Sequence, residues 1–462
     1  MPRTRYPKHF PSGEKKGFGT RCYKSHQRGT TIPSTDVGVG NTLASRGLLI
    51  IDRSGGIPPT PTISNIKGAS CLQFPSNFSP QSLSQISHLS TMRSGTTQGQ
   101  QASSIEKIES QIPARGRAVL VIHGGAGGLR REAYPLQLQE KYQAMLRMAL
   151  NAGHAILAAG GCALDAVEAA ICILEDSPLF NAGKGAVLTQ EGKAELEASI
   201  MLSHPGAAGL SDGDPTRRTT AVTQVSRVRN PISLVKNLYL NPQDTDHVLH
   251  CAPNVEKLAD QYGCDMVDEA YFHTPARDEQ FLSHHTADYA GVGEAEAKGT
   301  VGAVALDVNG YIAVGTSTGG KGGKRPGRVG DTPIAGAGYW CEQFQVKKSR
   351  RGWRQFIPCM QSSGVKNVGM GISGTGDGDY FIRYAVCHDI YSRMKYKGQK
   401  LEDAASSVLG ELGRNGGEGG VIGLTEQGDV IMGMNCSGMF RGWIDLAEGK
   451  PRVGIFCDDL VQ

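Results

Sequence analysis

The chain has 462 residues and a formal net charge of +4 at pH 7. This length accommodates one large domain or two to three average ones, and the 62 glycines favour an α/β protein rich in tight turns over a helical bundle. Residues 1–104 hold 12 Lys or Arg against three Asp or Glu, so the rest of the chain is mildly acidic. That balance argues against a nucleic-acid partner, which would need clustered positive charge.

Cysteine usage and hydropathy exclude several further classes. The 11 cysteines are odd in number, scattered, and lack any C-x-x-C pair, which argues against a zinc site or a disulfide framework. No apolar run approaches the roughly 18 to 20 residues of a membrane-spanning helix, and no secretory segment opens the chain. We therefore expect a cytoplasmic protein with no membrane partner and no catalytic metal.

Residues 1–115 have a composition of their own. They are rich in Ser, Thr, Gly, Pro and Gln and show little periodicity, which predicts a disordered extension because too little apolar surface is available for burial. Their Arg-rich, Ser-rich and acid-poor character also resembles an organellar targeting segment. Both interpretations stay open, and the folded domain is predicted to span 116–462.

Hydrophobic periodicity predicts alternating strand and helix pairs from there on. The elements expected in chain order are a strand at 118–122 followed by a glycine loop, two helices covering about 142–157 and 164–174, two strands within 181–201, a helix at about 245–262, an exposed linker at 273–299, a hairpin at 301–318, a basic insertion within 341–367, helices at about 381–394 and 402–412, and a hairpin at 420–435. This order indicates sheets covered by helix layers.

The hairpin at 301–318 turns at Val308-Asn309-Gly310, and Asn-Gly is a strong hairpin signal. A two-residue turn would set Thr318 opposite Val301. A three-residue loop with Gly310 left-handed would set Thr318 opposite Thr300. Only the second register puts both threonine side chains on one face, because a slip of one residue turns every side chain over.

Gly299-Thr300, where this hairpin begins, raises the question of chemistry. A threonine hydroxyl needs an adjacent base to act as a nucleophile, and the chain supplies no obvious Ser-His-Asp grouping. The α-amino group of the threonine itself would serve, since its unperturbed pKa is roughly 7.7 to 8.0. That amine exists only after cleavage before Thr300. A glycine at 299 could adopt strained dihedrals that let the hydroxyl reach its carbonyl.

Two loops downstream could complete a site. Arg328 and Asp331 lie three positions apart in a glycine-flanked loop, and a guanidinium with a carboxylate suits the α-carboxylate and α-ammonium of an amino acid. Thr375-Gly376 opens a glycine-dense turn whose hydroxyl and N–H could stabilise an oxyanion. A phosphate cradle is the weaker interpretation, because no Walker spacing is present.

Taken together these motifs resemble the plant-type asparaginases, also called isoaspartyl peptidases, of the N-terminal nucleophile hydrolase superfamily. The matching runs occur in order along the chain and are "HGGAGG" (123–128), "LEDSPLFNAGKGAVLT" (174–189), "GTVGAVALD" (299–307), "TSTGG" (316–320), "GRVGDTP" (327–333) and "GTGDGDYFIR" (374–383). The resemblance implies a four-layer αββα sandwich and self-cleavage into subunits ending at 299 and starting at 300.

The resemblance also implies residue roles. Thr300 would be the nucleophile and its freed amine the base, with Thr318 supporting the hydroxyl. Thr375 and Gly376 would form the oxyanion hole, and no metal would take part in catalysis. The substrate, L-asparagine or a β-aspartyl dipeptide, would be bound by a further set of residues: Arg328, Asp331, Gly376, Gly378 and Asn181. Backbone carbonyls of the loop around 174–185 would hold a structural sodium ion, and two cleaved chains would form a heterotetramer.

Some positions depart from the family pattern. Glu197 stands where the family usually has Asp, Asp377 where threonine is common, and residues 202–220 are longer than expected. Glycosylasparaginase and threonine aspartase-like protease are alternatives, although both usually carry Asp rather than glycine before the nucleophile. An uncleaved binding or scaffold protein of the same fold is a third alternative. The preference between asparagine and dipeptides stays open.

Overall fold

The computed structural model describes residues 116–211, 214–285, 299–347 and 365–461. The predictions for residues 1–115 and for the basic segment at 348–364 lie outside these ranges. No helix among the described residues is both long enough and apolar enough to cross a membrane.

Twelve strands of the described chain form two sheets. The strands are β1 (Val119–Gly127), β2 (Leu196–Leu202), β3 (Thr219–Val225), β4 (Leu249–Cys251), β5 (Val301–Leu306), β6 (Ile312–Thr318), β7 (Tyr339–Lys347), β8 (Val365–Gly376), β9 (Gly419–Thr425), β10 (Val430–Met434), β11 (Gly438–Asp445) and β12 (Arg452–Phe456). The larger sheet has the order β12-β11-β1-β5-β6-β2-β3-β4 and the smaller one β10-β9-β8-β7. Only the β3–β4 pair is parallel among the described strand pairs.

Eight helices accompany these sheets in the described ranges. They are α1 (Leu136–Ala158), α2 (Ala163–Glu175), α3 (Pro231–Leu240), α4 (Asn254–Gln261), α5 (Pro275–His285), α6 (Gly378–Tyr384), α7 (Val386–Lys397) and α8 (Leu401–Arg414). The predicted α/β class is confirmed.

Helices α1 and α2 pack against the larger sheet, as their apolar spacing predicts. Leu146 and Leu150 of α1 and Ile171 of α2 share a core with Leu120 of β1. Helices α1 and α2 approach each other closely at Gly153, because a Cβ there would lie 2.7 Å from the carbonyl oxygen of Ala166. The core of this half of the molecule therefore depends on a glycine inside a helix.

A second apolar cluster lies between the two sheets. It joins Val121, Val304 and Val314 of the larger sheet to Ile422 and Leu424 of the smaller one. The opposite face of the smaller sheet is covered by α7 and α8, whose buried side chains pack on β7, β8 and β9. Each sheet thus has one face towards the other sheet and one face towards helices.

The hairpin of β5 and β6 has the longer of the two predicted loops. Val301 pairs with Ser317 and Leu306 with Ile312, and Gly310 is left-handed at φ +83°. Extending that register by one residue sets Thr300 opposite Thr318, so the three-residue loop is confirmed.

Two predictions between 245 and 299 are wrong in part. The expected helix at 245–262 is a short strand, β4, followed by α4, because Pro253 disfavours helix at the residue before it. The expected linker at 273–299 contains α5, which begins with Pro275 at its first position and whose Arg277 N–H donates to the Thr274 hydroxyl at 3.4 Å. This helix lacks the apolar stripe that would have revealed it.

The single helix predicted at about 381–394 is also wrong in part. The structure has α6 and α7, separated by Ala385 in the left-handed conformation at φ +46°. The apolar spacing continues across the break, so periodicity alone could not locate it. At its other end, α6 begins with Gly378, which lies against Asp331.

The strand pair predicted within 181–201 is reduced to one strand. Leu188 and Ala194 form only an isolated bridge, and regular pairing starts with β2. The turn at Glu191-Gly192 is present, with the N–H of Gly192 donating to the carbonyl of Thr189 at 3.0 Å.

Candidate active site

Thr300 precedes β5 and is buried, with 6 % of its surface exposed. Its backbone N–H donates to Thr375 Oγ1 at 3.1 Å, and its hydroxyl lies 3.1 Å from Thr332 Oγ1. Its carbonyl oxygen lies 2.8 Å from His123 Nδ1. All three polar groups of the predicted nucleophile are therefore held, each by a different segment of the chain.

The surroundings of Gly299 leave no room for a side chain. A Cβ on Gly299 would lie 2.8 Å from the backbone nitrogen of Ala126 and would also collide with Gly125. The predicted scissile bond is thus packed against the backbone of the "HGGAGG" run.

Thr318 ends β6, the strand paired with β5, and contacts Asn181. The Thr318 hydroxyl donates to the Asn181 carbonyl at 3.3 Å and accepts from the Gly320 N–H at 3.0 Å. Asn181 Nδ2 donates to the Gly320 carbonyl at 2.7 Å. These contacts fix the turn after β6, and the support of the nucleophile by Thr318 stays a prediction.

Thr332 is a site residue that the sequence reasoning missed. Its side chain is fully buried, and its carbonyl accepts from Ser199 Oγ at 2.6 Å and from Thr316 Oγ1 at 3.3 Å. Two hydroxyls on neighbouring strands therefore hold its backbone while its own hydroxyl contacts Thr300. The run "GRVGDTP" contains Thr332, but only its Arg and Asp carried an obvious chemical signal.

Thr375 and Gly376 end β8 beside the nucleophile. Thr375 is fully buried and Gly376 has φ +145°. A Cβ on Gly376 would lie 2.5 Å from Gly419 Cα, so the neighbouring strand β9 leaves no room for a side chain. The backbone here can turn tightly enough to present an N–H next to the Thr375 hydroxyl, as an oxyanion hole requires.

Asp331 is a buried carboxylate with spare hydrogen-bonding capacity. It is 5 % exposed, and among the described residues its Oδ2 atom has no hydrogen-bond partner. Its Oδ1 atom lies against the space where Gly378, the first residue of α6, lacks a side chain. Burial raises the pKa of Asp331 to about 7. An unpartnered buried carboxylate is costly unless a cation reaches it.

Arg328 lies at the partly exposed side of the same loop. Its Nη2 atom is 3.1 Å from Oδ1 of Asp379, a partner on α6 that the sequence did not suggest. The Gly330 N–H donates to Glu197 Oε1 at 2.9 Å, so the fully buried Glu197 holds the loop between Arg328 and Asp331. Burial raises the pKa of Glu197.

Lys324 is a buried cation near Glu197. It is 5 % exposed, and its Nζ atom donates to the carbonyl of Glu195 at 2.6 Å. Burial lowers the pKa of Lys324, while the carboxylates of Glu197 and Glu195 oppose that shift. The charge of Glu197 thus faces cations, as the shorter aspartate expected at this position would.

The loop at 174–185 brings backbone carbonyls together around two glycines. A Cβ on Gly183 would collide with the carbonyl of Glu175, and one on Gly185 would lie 2.8 Å from the carbonyl of Pro178 and against that of Phe180. Carbonyl oxygens are ligands of hard cations, so this loop suits the expected sodium ion. The described residues contain no group of three or more His, Cys, Asp or Glu that could hold a metal.

Three features occur together here. Thr300 is buried next to a glycine, two threonine hydroxyls contact its polar atoms, and a carboxylate with one unpartnered oxygen lies three positions from an arginine. They are what a hydrolase with an N-terminal threonine nucleophile needs: a nucleophile, an oxyanion site and a handle for an amino-acid substrate.

The family model described as "Asparaginase" matches residues 116–352 and 363–454. The isoaspartyl peptidase of Escherichia coli strain K12 is 36 % identical over 349 residues, which cover 74 % of this chain and 97 % of that protein. The probable isoaspartyl peptidase/L-asparaginase 2 of Arabidopsis thaliana is 32 % identical, covering 70 % and 94 %. The isoaspartyl peptidase/L-asparaginase of Xenopus laevis is 31 % identical, covering 74 % and 96 %. The chain belongs to the asparaginase family, so the resemblance seen in its motifs is confirmed.

Replacing Thr332 tests whether its hydroxyl acts on Thr300. Thr332→Val removes the hydroxyl at nearly constant volume and should slow cleavage before Thr300 about tenfold or more, because one hydrogen bond to the attacking oxygen is lost. Thr332→Ser retains the hydroxyl and should cleave at close to the wild-type rate. Band intensities on denaturing gels over time give both rates. Equal rates for the valine and serine variants would remove Thr332 from the site.

Proposed function

We propose that the chain cleaves itself between Gly299 and Thr300 and that the mature protein hydrolyses L-asparagine and β-aspartyl dipeptides to L-aspartate. One observation carries the proposal. Asp331, whose Oδ2 atom has no hydrogen-bond partner among the described residues, is adjacent in the chain to Thr332, and the Thr332 hydroxyl lies 3.1 Å from that of Thr300. Recognition of an ammonium and activation of a nucleophile are thus linked by consecutive residues. The names of the three relatives support the same reaction.

Self-cleavage begins with the Thr300 hydroxyl attacking the carbonyl carbon of Gly299. The peptide bond becomes an ester as the nitrogen of Thr300 receives the proton that the hydroxyl loses and leaves as an amine, and water then hydrolyses the ester. The Thr332 hydroxyl lies where it can hydrogen-bond the attacking oxygen. Gly125, packed on Gly299, restricts the scissile carbonyl to few orientations. The products are residues 1–299 and a subunit that begins with Thr300.

In the mature protein the new amine of Thr300 takes the proton of its own hydroxyl as that oxygen attacks the β-carbonyl of the substrate. Thr375 Oγ1 accepts from the Thr300 nitrogen and still has its own hydrogen to donate to the oxyanion. The Gly376 N–H is the second donor. Ammonia or an amino acid leaves with the proton, and water hydrolyses the aspartyl ester to regenerate Thr300.

Substrate recognition uses both ends of the loop held by Glu197. The Arg328 guanidinium binds the α-carboxylate, exchanging part of its contact with Asp379, and Asp331 binds the α-ammonium through Oδ2. Gly376 and Gly378 leave room for the aspartyl group next to these side chains, and Asn181 shapes the far wall through the turn after β6. The leaving amine projects outwards, so both ammonia and an amino acid can be released.

The finer architecture follows from the same contacts. Helices on the outer face of each sheet and an apolar cluster between the sheets support a four-layer αββα sandwich. The carbonyls of the loop at 174–185 would hold a sodium ion whose part is structural. Assembly of two cleaved chains into a heterotetramer and a cytoplasmic location stay predictions.

Mass spectrometry and product assays test the proposal directly. Purified protein held at neutral pH should yield fragments 1–299 and 300–462, while Thr300→Ala should stay whole because it has no nucleophile. The cleaved protein should release L-aspartate from L-asparagine and from a β-aspartyl dipeptide. Turnover of an N-acetylglucosaminyl asparagine alone would assign glycosylasparaginase instead. A cleaved protein with no turnover of any of the three would refute the proposed reaction.

Arg328 should govern substrate affinity. Arg328→Ala should lower kcat/KM for L-asparagine at least about tenfold, mainly through KM, because a charge-assisted contact worth about 1.5–3 kcal/mol is lost. Cleavage before Thr300 should persist, since that reaction binds no free carboxylate. The control is Arg383→Ala, which removes an exposed arginine of α6. Unchanged asparagine kinetics in Arg328→Ala would exclude it from the site.

Asp331 should make product binding depend on pH. Burial raises its pKa to about 7, with Glu197 and Asp377 adding to the shift and Arg328 opposing it. The carboxylate is charged only above that pH, so L-aspartate should inhibit about tenfold more weakly at pH 6 than at pH 8. Inhibition constants of the mature protein for L-aspartate, determined between pH 6 and pH 8, measure this dependence. A constant value across this range would contradict the role of Asp331, and Asp331→Asn should show no such pH dependence.

A further inference from the structure

His123 lies in the interior with no exposed surface and joins two strands of the candidate site. Its Nδ1 atom is 2.8 Å from the carbonyl oxygen of Thr300, and its Nε2 atom is 2.7 Å from Ser373 Oγ. Ser373 precedes Thr375 by two residues on β8. One imidazole therefore bridges the predicted nucleophile and the strand that carries the predicted oxyanion hole.

The partners fix the hydrogen positions of this imidazole. A carbonyl oxygen can only accept, so Nδ1 of His123 carries a hydrogen and donates to Thr300. Burial lowers the pKa of His123 to about 3, so the ring is neutral at physiological pH and Nε2 accepts from the Ser373 hydroxyl. The bridge thus has one defined direction: Ser373 donates to His123, and His123 donates to Thr300.

The imidazole and the Ser373 hydroxyl occupy the space that a side chain at position 302 would need. Gly302 is paired with His123 between β1 and β5, and a Cβ on Gly302 would lie 2.9 Å from Cε1 of the ring and collide with Ser373 Oγ. Position 302 is therefore a glycine because the imidazole of His123 lies over its Cα atom. A side chain at 302 would displace the bridge.

We propose that His123 is a positioning residue that holds Thr300 in its working orientation once the bond to Gly299 has been cut. The inference rests on the proposed function and adds a residue to it. Cleavage turns Thr300 into a chain end, and chain ends lose order unless they are tied down. The amine and the hydroxyl of Thr300 both change partners during catalysis. Its carbonyl is the one polar group that takes no part in the reaction, and His123 holds it.

This role predicts a particular pattern of kinetic effects. Before cleavage the peptide bond to Gly299 itself restrains Thr300, so loss of the His123 contact should slow self-cleavage less than it slows turnover. Recognition depends on Arg328 and Asp331, so KM should stay nearly constant. The loss should therefore appear in kcat.

A matched pair of variants separates the hydrogen bond that His123 donates to Thr300 from the packing of its side chain. His123→Asn keeps a donor at the position of Nδ1, whereas His123→Leu has a similar shape and no donor. We expect kcat for L-asparagine to fall at least about tenfold in His123→Leu, the factor that corresponds to 1.36 kcal/mol, and to recover in large part in His123→Asn, with KM within about twofold in both. Equal kcat values for the two variants, or a loss confined to KM, would overturn the inference.

A chemical measurement gives a readout independent of turnover. Periodate cleaves the bond between the amine-bearing and hydroxyl-bearing carbons of an N-terminal threonine, and mass spectrometry follows its rate. Thr300 of cleaved His123→Leu should react several-fold faster than that of the wild type or of His123→Asn. Slow reaction in all three would overturn the inference. Failure of the cleaved wild type to turn over any substrate, with fast reaction only in the leucine variant, would refute the proposed reaction and retain the inference.

If thermal unfolding shows that His123→Leu does not fold, Ser373→Ala tests the same bridge. It removes the donor to Nε2 and frees the ring to turn, so kcat should fall several-fold without a change in KM. Wild-type kcat in a folded Ser373→Ala protein would count against the bridge.

Discussion

The position of Thr300 depends on the register in which β5 lies between β1 and β6. Val301 pairs with Ser317 on one side and Gly302 pairs with His123 on the other. A slip of one residue would turn the side chains of β5 over and would carry the Thr300 carbonyl away from His123. The left-handed Gly310 sets this register at the far end of the hairpin, so a turn residue distant from the site determines where the nucleophile lies.

The loop that carries Asp331 and Thr332 is the second constraint. Both residues are buried, and three contacts fix the backbone on either side of them: the Gly330 N–H donates to Glu197, and the Thr332 carbonyl accepts from two strand hydroxyls. The free oxygen of Asp331 and the hydroxyl of Thr332 thus have little freedom relative to each other. If Asp331 binds the substrate ammonium as proposed, the β-carbonyl of the substrate would lie near the Thr300 oxygen that contacts Thr332, and this coupling would lower the entropy cost of reaction.

Sequence patterns gave the elements whose apolar spacing is unambiguous. The helices α1 and α2, the hairpin of β5 and β6, and the hairpin of β9 and β10 all have a clear period and punctuating glycines. The helix α5 is polar on most faces, so its start at Pro275 was the only signal. The break at Ala385 depends on a left-handed residue that is not glycine, and such a conformation is set by tertiary packing rather than by local preference.

The site divides along the same line. Chemical type and glycine neighbours indicated Thr300, Arg328, Asp331 and the Thr375-Gly376 turn, and the family resemblance added Asn181 and Gly378. Their supporting contacts come from residues far away in sequence, such as Ser373, which lies 250 positions from its partner His123. A histidine before glycines has no distinctive local pattern, and only the pairing of β1 with β5 brings it to Thr300. The structure therefore adds the supporting contacts of the reacting groups. Under the proposed function, the orientation of Thr300 after cleavage depends on these contacts.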